Sequence, residues 1–175
     1  IERDFYGFDI RPGSKEQGLL GSWYTDRSAR NDIVSVAVTH DDENAYFGIE
    51  TVEAITAYES GENWMNVLLS TKKANAGNSW EGYDYILNRA PGNGKTSVER
   101  SAGGWNWEKV GDATMTVDGN KMTISVPLSM LGLSASEFSF GFKVADNVTN
   151  YKDIMDYYVS GDSAPIGRLR YSYGY

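Results

Sequence analysis

The sequence contains no cysteine and a single histidine, His40. Without cysteine there is no disulfide framework, no thiolate metal site and no cysteine nucleophile. One histidine excludes a zinc site built from several histidines and haem held by two of them. A Ser-His-Asp triad also lacks support, because no serine has the sequence context of a nucleophile. Since His40 directly precedes Asp41, we interpret it as a turn residue rather than a ligand.

Basic residues are few, with 16 Lys and Arg against 24 Asp and Glu and a net charge of −8. Binding to nucleic acid or to an anionic membrane needs clustered positive charge, so neither partner is expected. No apolar run approaches the roughly 18 residues that span a bilayer. Between Arg30 and Lys72 there are eight Asp or Glu and no Lys or Arg, which favours a neutral glycan or a divalent cation as ligand.

Carboxylate pairs with catalytic spacing are also missing. Glycan-cleaving enzymes on β-scaffolds place two carboxylates across the scissile bond, and no E-x-D-x-E pattern occurs here. Glu81 with Asp84, and Asp153 with Asp156, are three residues apart, which sends each pair to opposite faces of a strand. We therefore predict a binding protein and no enzyme.

Glycine and aromatic residues are abundant, with 19 Gly, 12 Tyr and 5 Trp in 175 residues. This composition predicts one all-β domain, an antiparallel β-sandwich of jelly-roll type with roughly ten strands and minimal helix. We expect residues 1–32 to form an N-terminal arm packed on the sandwich and residues 33–175 to form the module. Because the chain begins at Ile1 without a Met, we interpret it as a piece of a longer protein.

Alternating apolar and polar residues predict the strands, and Gly, Asn and Asp clusters predict the turns. Pro127 to Gly132 is the only helical candidate, of about one turn. Residues 64–89 predict a central hairpin, with one arm at 64–71 and the other at 80–89. The clearest predicted strands elsewhere are Ile33 to His40, Asn44 to Thr51, Thr96 to Arg100, Thr114 to Val117, Lys121 to Val126, Phe138 to Ala145 and Arg168 to Tyr173.

Aromatic rings stack on sugar C–H groups, and planar polar side chains hydrogen-bond to adjacent hydroxyls. For each of the five tryptophans, stacking on a sugar and packing in the core both remain open. The candidate carbohydrate-binding residues are Trp64, Asn66, Trp80, Asn88, Arg89, Trp105 and Trp107. We expect them to line one cleft, with Trp105 or Trp107 as its second wall.

Acidic residues in two predicted turns are candidate calcium ligands: Asp41, Asp42, Asp146 and Asp153. Carboxylate oxygens suit calcium, but the spacing is not that of an EF-hand. A structural calcium and ordinary solvated turn acids are both compatible with this pattern. No cofactor is expected to be required.

Several segments resemble the family 9 carbohydrate-binding modules and the wider group of DOMON-like β-sandwiches. They are NAYFGIET, NWMNVLLST, WEGYDYILN, the turn from Pro127 to Leu133 and the closing GDSAPIGRLRY. The resemblance covers residues from about Arg30 to the C-terminus. The sequence looks like the modules appended to large secreted bacterial proteins that degrade polysaccharides.

The resemblance implies a noncatalytic module that binds a polysaccharide or oligosaccharide for an attached catalytic domain, outside the cell. In this family two tryptophans sandwich a terminal sugar, and calcium is present in some members. Trp64 lies near the first sandwich tryptophan and Asn88 matches the family asparagine. Ile86 and Asn66 replace the expected Arg and Glu, and no Trp follows Trp107.

Three alternatives remain. The chain is a structural spacer that packs on an attached enzyme and binds no sugar, a glycan-active enzyme, or a haem-binding DOMON-like domain that uses methionine sulfur. The exposure of the tryptophans separates the first alternative from sugar binding, because a stacking site needs at least two rings on one surface.

Overall fold

The structure is a computed structural model that describes residues 25–26, 28–60, 63–72 and 78–174. In this part of the chain there are ten strands and two short 3₁₀ segments, Leu128–Leu131 and Asp156–Tyr158. The strands are β1 (Ile33–His40), β2 (Asn44–Thr51), β3 (Asn66–Ser70), β4 (Tyr85–Leu87), β5 (Lys95–Gly103), β6 (Asn106–Asp118), β7 (Lys121–Pro127), β8 (Ser139–Asp146), β9 (Asp162–Ala164) and β10 (Tyr171–Gly174). Every strand pairing is antiparallel, so the predicted all-β antiparallel fold is confirmed.

The strands form one continuous sheet in the order β1-β2-β7-β6-β5-β4-β3-β8-β10, with β9 also paired to β8. The sheet folds over at β6, a strand of 13 residues whose first part pairs with β5 and whose last part pairs with β7. A long strand that changes partners is a common way to make such a corner. The two layers of the sandwich are therefore the two halves of one sheet.

The main core lies between these halves. Phe47 of β2 packs against Phe140 and Phe142 of β8, with ring centroids 5.6 and 6.3 Å apart. Because alternate residues of a strand point to opposite faces, Ala45, Phe47 and Ile49 all enter this core. The predicted spacing of Phe138, Phe140 and Phe142 on one face is confirmed.

The hairpin of β1 and β2 has the predicted bounds. Its turn is held by Asp41, whose Oδ1 accepts the N–H groups of Glu43 and Asn44 and whose Oδ2 accepts the hydroxyl of Tyr46. These bonds, that from Tyr46 above all, lower the pKa of Asp41 below its usual value. This hairpin can be predicted from the sequence because an aspartate side chain stabilises its turn.

The predicted central hairpin is formed by β3 and β4, which lie inside the sheet. Its second arm is shorter than predicted, since only Tyr85–Leu87 is a strand. Glu81 and Gly82 both have positive φ, and the backbones of Trp80 and Tyr83 exchange two hydrogen bonds across them. Residues 80–83 therefore make a tight hairpin turn, which interrupts the alternation that the sequence indicated.

A second, smaller core covers the opposite face of β3, β4 and β8. Leu68, Ile86 and Ala145 point away from the main core and are buried there. The turn at 80–83 and the segment 147–161 cover them, the latter through Val148, Ile154 and Tyr157. Burial on both faces explains why every residue of β3 is buried.

Two polar contacts bring the first strand close to the far side of the sheet. The backbone N–H of Ile33 donates to Asp162 of β9 at 2.6 Å, and Arg30 pairs with Asp146 at the end of β8 at 2.9 Å. Most of the predicted N-terminal arm, residues 1–24 and 27, lies outside the described residues. In the described part, no helix has the length and apolar character needed to cross a membrane.

Candidate functional site

The structure divides the predicted sugar-binding tryptophans between the two cores. Trp64 belongs to the main core and is 3% exposed, with its indole N–H donating to the carbonyl of Thr56 at 3.0 Å. Trp80 belongs to the second core. The two rings therefore lie on opposite sides of the sheet, and the predicted cleft that they share is not formed. Core packing, one of the two roles left open for each tryptophan, is the one that Trp64 has.

Asn66 and Asn88 are also buried, and their amide groups bind neighbouring chain segments. Asn66 donates to the carbonyl of Asn88 at 2.7 Å and accepts from Asn63 at 2.5 Å. Asn88 donates to the carbonyl of Met65 at 3.1 Å and accepts from Thr96 at 2.8 Å. These bonds join the ends of β3, β4 and β5, so neither amide is presented to a ligand at the surface.

Three of the predicted residues do come together. Trp105 lies 4.5 Å from Trp80 and 5.5 Å from Trp107 between ring centroids, and both pairs are nearly perpendicular. Tyr151 lies 5.4 Å from Trp105. We call Trp80, Trp105, Trp107 and Tyr151 the aromatic cluster. Trp80 is buried, whereas the other three rings are partly exposed at the edge of the second core.

The indole N–H groups of the cluster are used unequally. Trp80 donates to the carbonyl of Lys152 at 3.2 Å. The N–H groups of Trp105 and Trp107 have no hydrogen-bond partner in the described structure, although both nitrogens are shielded from solvent. A shielded donor without a partner costs roughly 1–3 kcal/mol. Neither donor is compensated by an acceptor of the described residues.

A polar strip lies beside Trp107 on the same face of the sheet. Ser101 of β5 is opposite Trp107, and Glu99 is opposite Lys109, so Glu99 and Trp107 are diagonal neighbours. Arg89, a predicted site residue, pairs with Glu99 at 2.5 Å. Glu99 is buried and its two oxygens already accept from Ser97 and Arg89, so the guanidinium is the group of this pair that can reach a ligand.

Glu99 and Tyr151 were not predicted as site residues. The position of Glu99 could have been predicted from the alternation along β5, which places Glu99 on the face opposite to Val98 of the main core. The position of Tyr151 could not, since it lies in a turn and approaches Trp105 only through the folding of the segment 147–161.

The candidate metal ligands do not gather into one site. Asp41 and Asp42 lie in the β1–β2 turn, where Asp41 holds the backbone, and Asp153 accepts the N–H of Met155 in a separate turn. Asp146 is fully buried and is already bound by Arg30 and by the N–H of Met65. Among the described residues there is no group of three or more His, Cys, Asp or Glu side chains that could hold an ion.

The carboxylate pairs considered for catalysis have structural partners. Asp84 accepts the N–H and the hydroxyl of Thr71 at 2.8 and 2.6 Å, and it is 2% exposed. Asp156 accepts the N–H of Asn150 at 2.7 Å and also the hydroxyl of Ser160. Both carboxylates therefore hold loop backbones in place.

Comparisons with protein-family models, with curated proteins and with solved structures find no match to this chain.

Proposed function

We propose that this chain is a noncatalytic carbohydrate-binding module of a larger secreted bacterial protein that degrades polysaccharides, and that it binds sugar at the aromatic cluster. The observation that carries this proposal is the corner formed by the two partly exposed indole rings of Trp105 and Trp107, with Glu99, the partner of Arg89, diagonal to Trp107 on the neighbouring strand.

The chemistry of the cluster suits a sugar ring. Trp105 and Trp107 are nearly perpendicular, so one ring face and one ring edge form a corner in which a pyranose can stack. The guanidinium of Arg89, with 34% of its side chain exposed, then donates to ring hydroxyls, while the largely buried Glu99 holds Arg89 in place. A neutral glycan fits best, because the net charge of −8 repels a polyanion.

A structural spacer, which packs on an attached enzyme and binds no sugar, is favoured by a different observation. Trp80 is 6% exposed, and Trp105 and Trp107 are only partly exposed. Rings with this exposure also suit an interface with a neighbouring domain, where aromatic residues are enriched. The two functions differ in one measurable property, which is binding of free glycan by the chain alone.

The first prediction concerns Trp107. Calorimetry and affinity electrophoresis of the chain against a panel of neutral polysaccharides should show binding, and Trp107→Ala should weaken it at least tenfold. Burying one large side chain contributes about 1.5–3 kcal/mol, which corresponds to that loss. Tyr46→Ala is the matched control, because Tyr46 is a partly exposed aromatic residue on β2, outside the cluster.

Each outcome separates the alternatives. If the wild type binds no glycan in the panel, the spacer function replaces the proposal. If a glycan binds and Trp107→Ala binds it as well as the wild type does, sugar binding stands and the cluster is the wrong site. Release of reducing ends or unsaturated products from any glycan would show an enzyme instead.

A further inference from the structure

A second pocket, separate from the aromatic cluster, lies where β1 ends and β8 begins. It has a volume of about 460 Å³ and is lined by His40, by Thr71 and Lys72 after β3, and by Leu133, Ala135, Ser136, Glu137, Phe138 and Ser139 before and at the start of β8. Small-molecule sites have volumes of about 300–1,000 Å³. The pocket is thus large enough for a sugar ring, and it contains the only histidine of the chain.

The ring of His40 is held in one orientation. It stacks on Phe138 with centroids 3.9 Å apart, and its Nδ1 is 3.1 Å from the hydroxyl of Tyr173. The other ring nitrogen, Nε2, has no partner in the described part of the chain. When the hydroxyl of Tyr173 donates to Nδ1, Nε2 carries the proton of the neutral ring; in the imidazolium both nitrogens carry one. In both of these forms Nε2 is a donor. An anionic ligand at Nε2 therefore favours them over the tautomer in which Nε2 is an acceptor.

Lys72 supplies a second donor. Its side chain is exposed and forms no ion pair with any described residue. Its backbone has φ of +61°, a conformation that costs a non-glycine residue about 1 kcal/mol or more. The preceding residue, Thr71, is anchored by two hydrogen bonds to buried Asp84. Thr71 therefore attaches the backbone next to Lys72 to the sheet at the pocket wall.

The rest of the lining selects among anions. Leu133 and Phe138 belong to the main core and give the pocket a small apolar surface, since each is 7% exposed. Ser136 and Ser139 offer hydroxyl groups, and Glu137 is an acidic neighbour. Glu137 adds a negative charge to the same wall, which disfavours a dianion such as sulfate more than a single carboxylate. The net charge of −8 disfavours a long polyanion, so one carboxylate on a hydroxylated ring is the best match.

We infer that this pocket binds a uronic acid unit, with its carboxylate between His40 and Lys72 and its ring against Leu133 and Phe138. The site is additional to the proposed binding of neutral glycan at the aromatic cluster and does not depend on it.

The test is an amide NMR titration of the chain with glucuronate and galacturonate, compared with glucose, acetate and sulfate. Uronates should shift the amide signals of residues 133–139 and of His40, with at least tenfold higher affinity than any of the other three probes. Lys72→Met should weaken uronate binding about tenfold or more. Lys95→Met, which removes another exposed lysine, should not change it.

His40→Phe is the second variant, because phenylalanine can keep the stacking on Phe138 while it removes the Nε2 donor. It should weaken uronate binding and keep the dispersed spectrum of a folded protein. Trp107→Ala should leave uronate binding unchanged, which separates this site from the aromatic cluster. Equal binding of glucose or sulfate, no shift of residues 133–139 with uronate, or unchanged affinity in Lys72→Met would each overturn the inference.

Discussion

Lys143 is the residue whose environment is least expected for its type. Its side chain is fully buried on β8, its ammonium group donates to the carbonyl of Pro165, and it lies 6.0 Å from the ring of Tyr157. Burial lowers the pKa of Lys143 well below its ordinary value of 10.5, Arg170 lowers it further, and Asp162 opposes this decrease. A buried amine of this kind makes the stability of the protein depend on alkaline pH.

The direction follows from proton binding. Between the lowered pKa of the folded state and 10.5, the unfolded chain binds a proton at Lys143 that the folded chain does not. The free energy of unfolding therefore rises as the pH increases across this interval, at a slope of up to about 1.4 kcal/mol per pH unit. Lys143→Met, which has no titrating group, should remove this rise.

Urea unfolding at several pH values between about 7 and 10 checks this prediction. Above that range burial of Tyr83 and Tyr157 has the opposite effect, because it raises the pKa of both hydroxyls and stability is then lost as the unfolded tyrosines ionise. Lys95→Met, at an exposed lysine, should keep the slope of the wild type. A Lys143→Met protein with that same slope would show that Lys143 titrates normally.

At the scale of elements, the segment 147–161 covers the second core and brings Tyr151 to the aromatic cluster. Its end is held close to β8 at Gly161, which has φ of +60°. A Cβ atom at this position would overlap the backbone of Asp146 and Val148. Only glycine allows this approach, since backbone atoms cannot move aside as a flexible side chain can.

Gly161→Ala should therefore lower the free energy of unfolding by about 1–3 kcal/mol more than Gly104→Ala does. Gly104 has φ of +53° and nothing within 4 Å of an added Cβ, so it carries the same backbone cost without the overlap. Thermal or urea unfolding of both variants measures the difference. Equal losses in the two would mean that the segment can shift away from β8 at little cost.

At the scale of the whole molecule, Arg30 ties the chain before β1 to the end of β8, on the other half of the sheet. Its guanidinium bonds both oxygens of Asp146, whose carboxylate has no exposure, and the carbonyl of Asn63. Burial raises the pKa of Asp146, while the bonds from Arg30 lower it and only partly offset burial. Without Arg30 the buried charge would lose its principal partner.

Arg30→Met should therefore destabilise the protein by about 3 kcal/mol near neutral pH, as expected when one partner of a buried pair is removed. Between pH 3.8 and the raised pKa of Asp146, the folded state binds a proton that the unfolded state does not. Its contribution to stability is thus present at acid pH and is lost as pH rises. Loss of Arg30 raises this pKa further, so the deficit of the variant should shrink near pH 4.

Urea unfolding at about pH 7 and about pH 4 tests this expectation. Arg168→Met is the matched control, because its pair with Glu81 is exposed and 3.8 Å long and should contribute about 1 kcal/mol or less. A loss in Arg30→Met no larger than in this control would show that the tie to Asp146 is not needed to hold the two halves together.

The sequence by itself determines the local part of this structure. Alternation and turn chemistry suffice for β1, β2, the turn between β6 and β7 and the short 3₁₀ segment near Pro127, because strand faces and turn conformations depend on neighbouring residues. The predicted last strand, Arg168 to Tyr173, overlaps β10, which begins at Tyr171. The central position of the β3–β4 hairpin in the sheet can also be predicted from the sequence, because strands with apolar residues on both faces are covered on both sides.

Only the tertiary structure decides which aromatic residues enter a core and which reach an edge. Trp64 and Trp107 are alike in sequence terms, yet one packs between the layers and the other lies beside Glu99, because the folding of the sheet at β6 assigns their faces. Likewise, the amides of Asn66 and Asn88 form buried hydrogen bonds with Asn63 and Thr96. These partners come close only when the chain folds around β3, β4 and β5. Such arrangements depend on contacts between strands, so no local pattern records them.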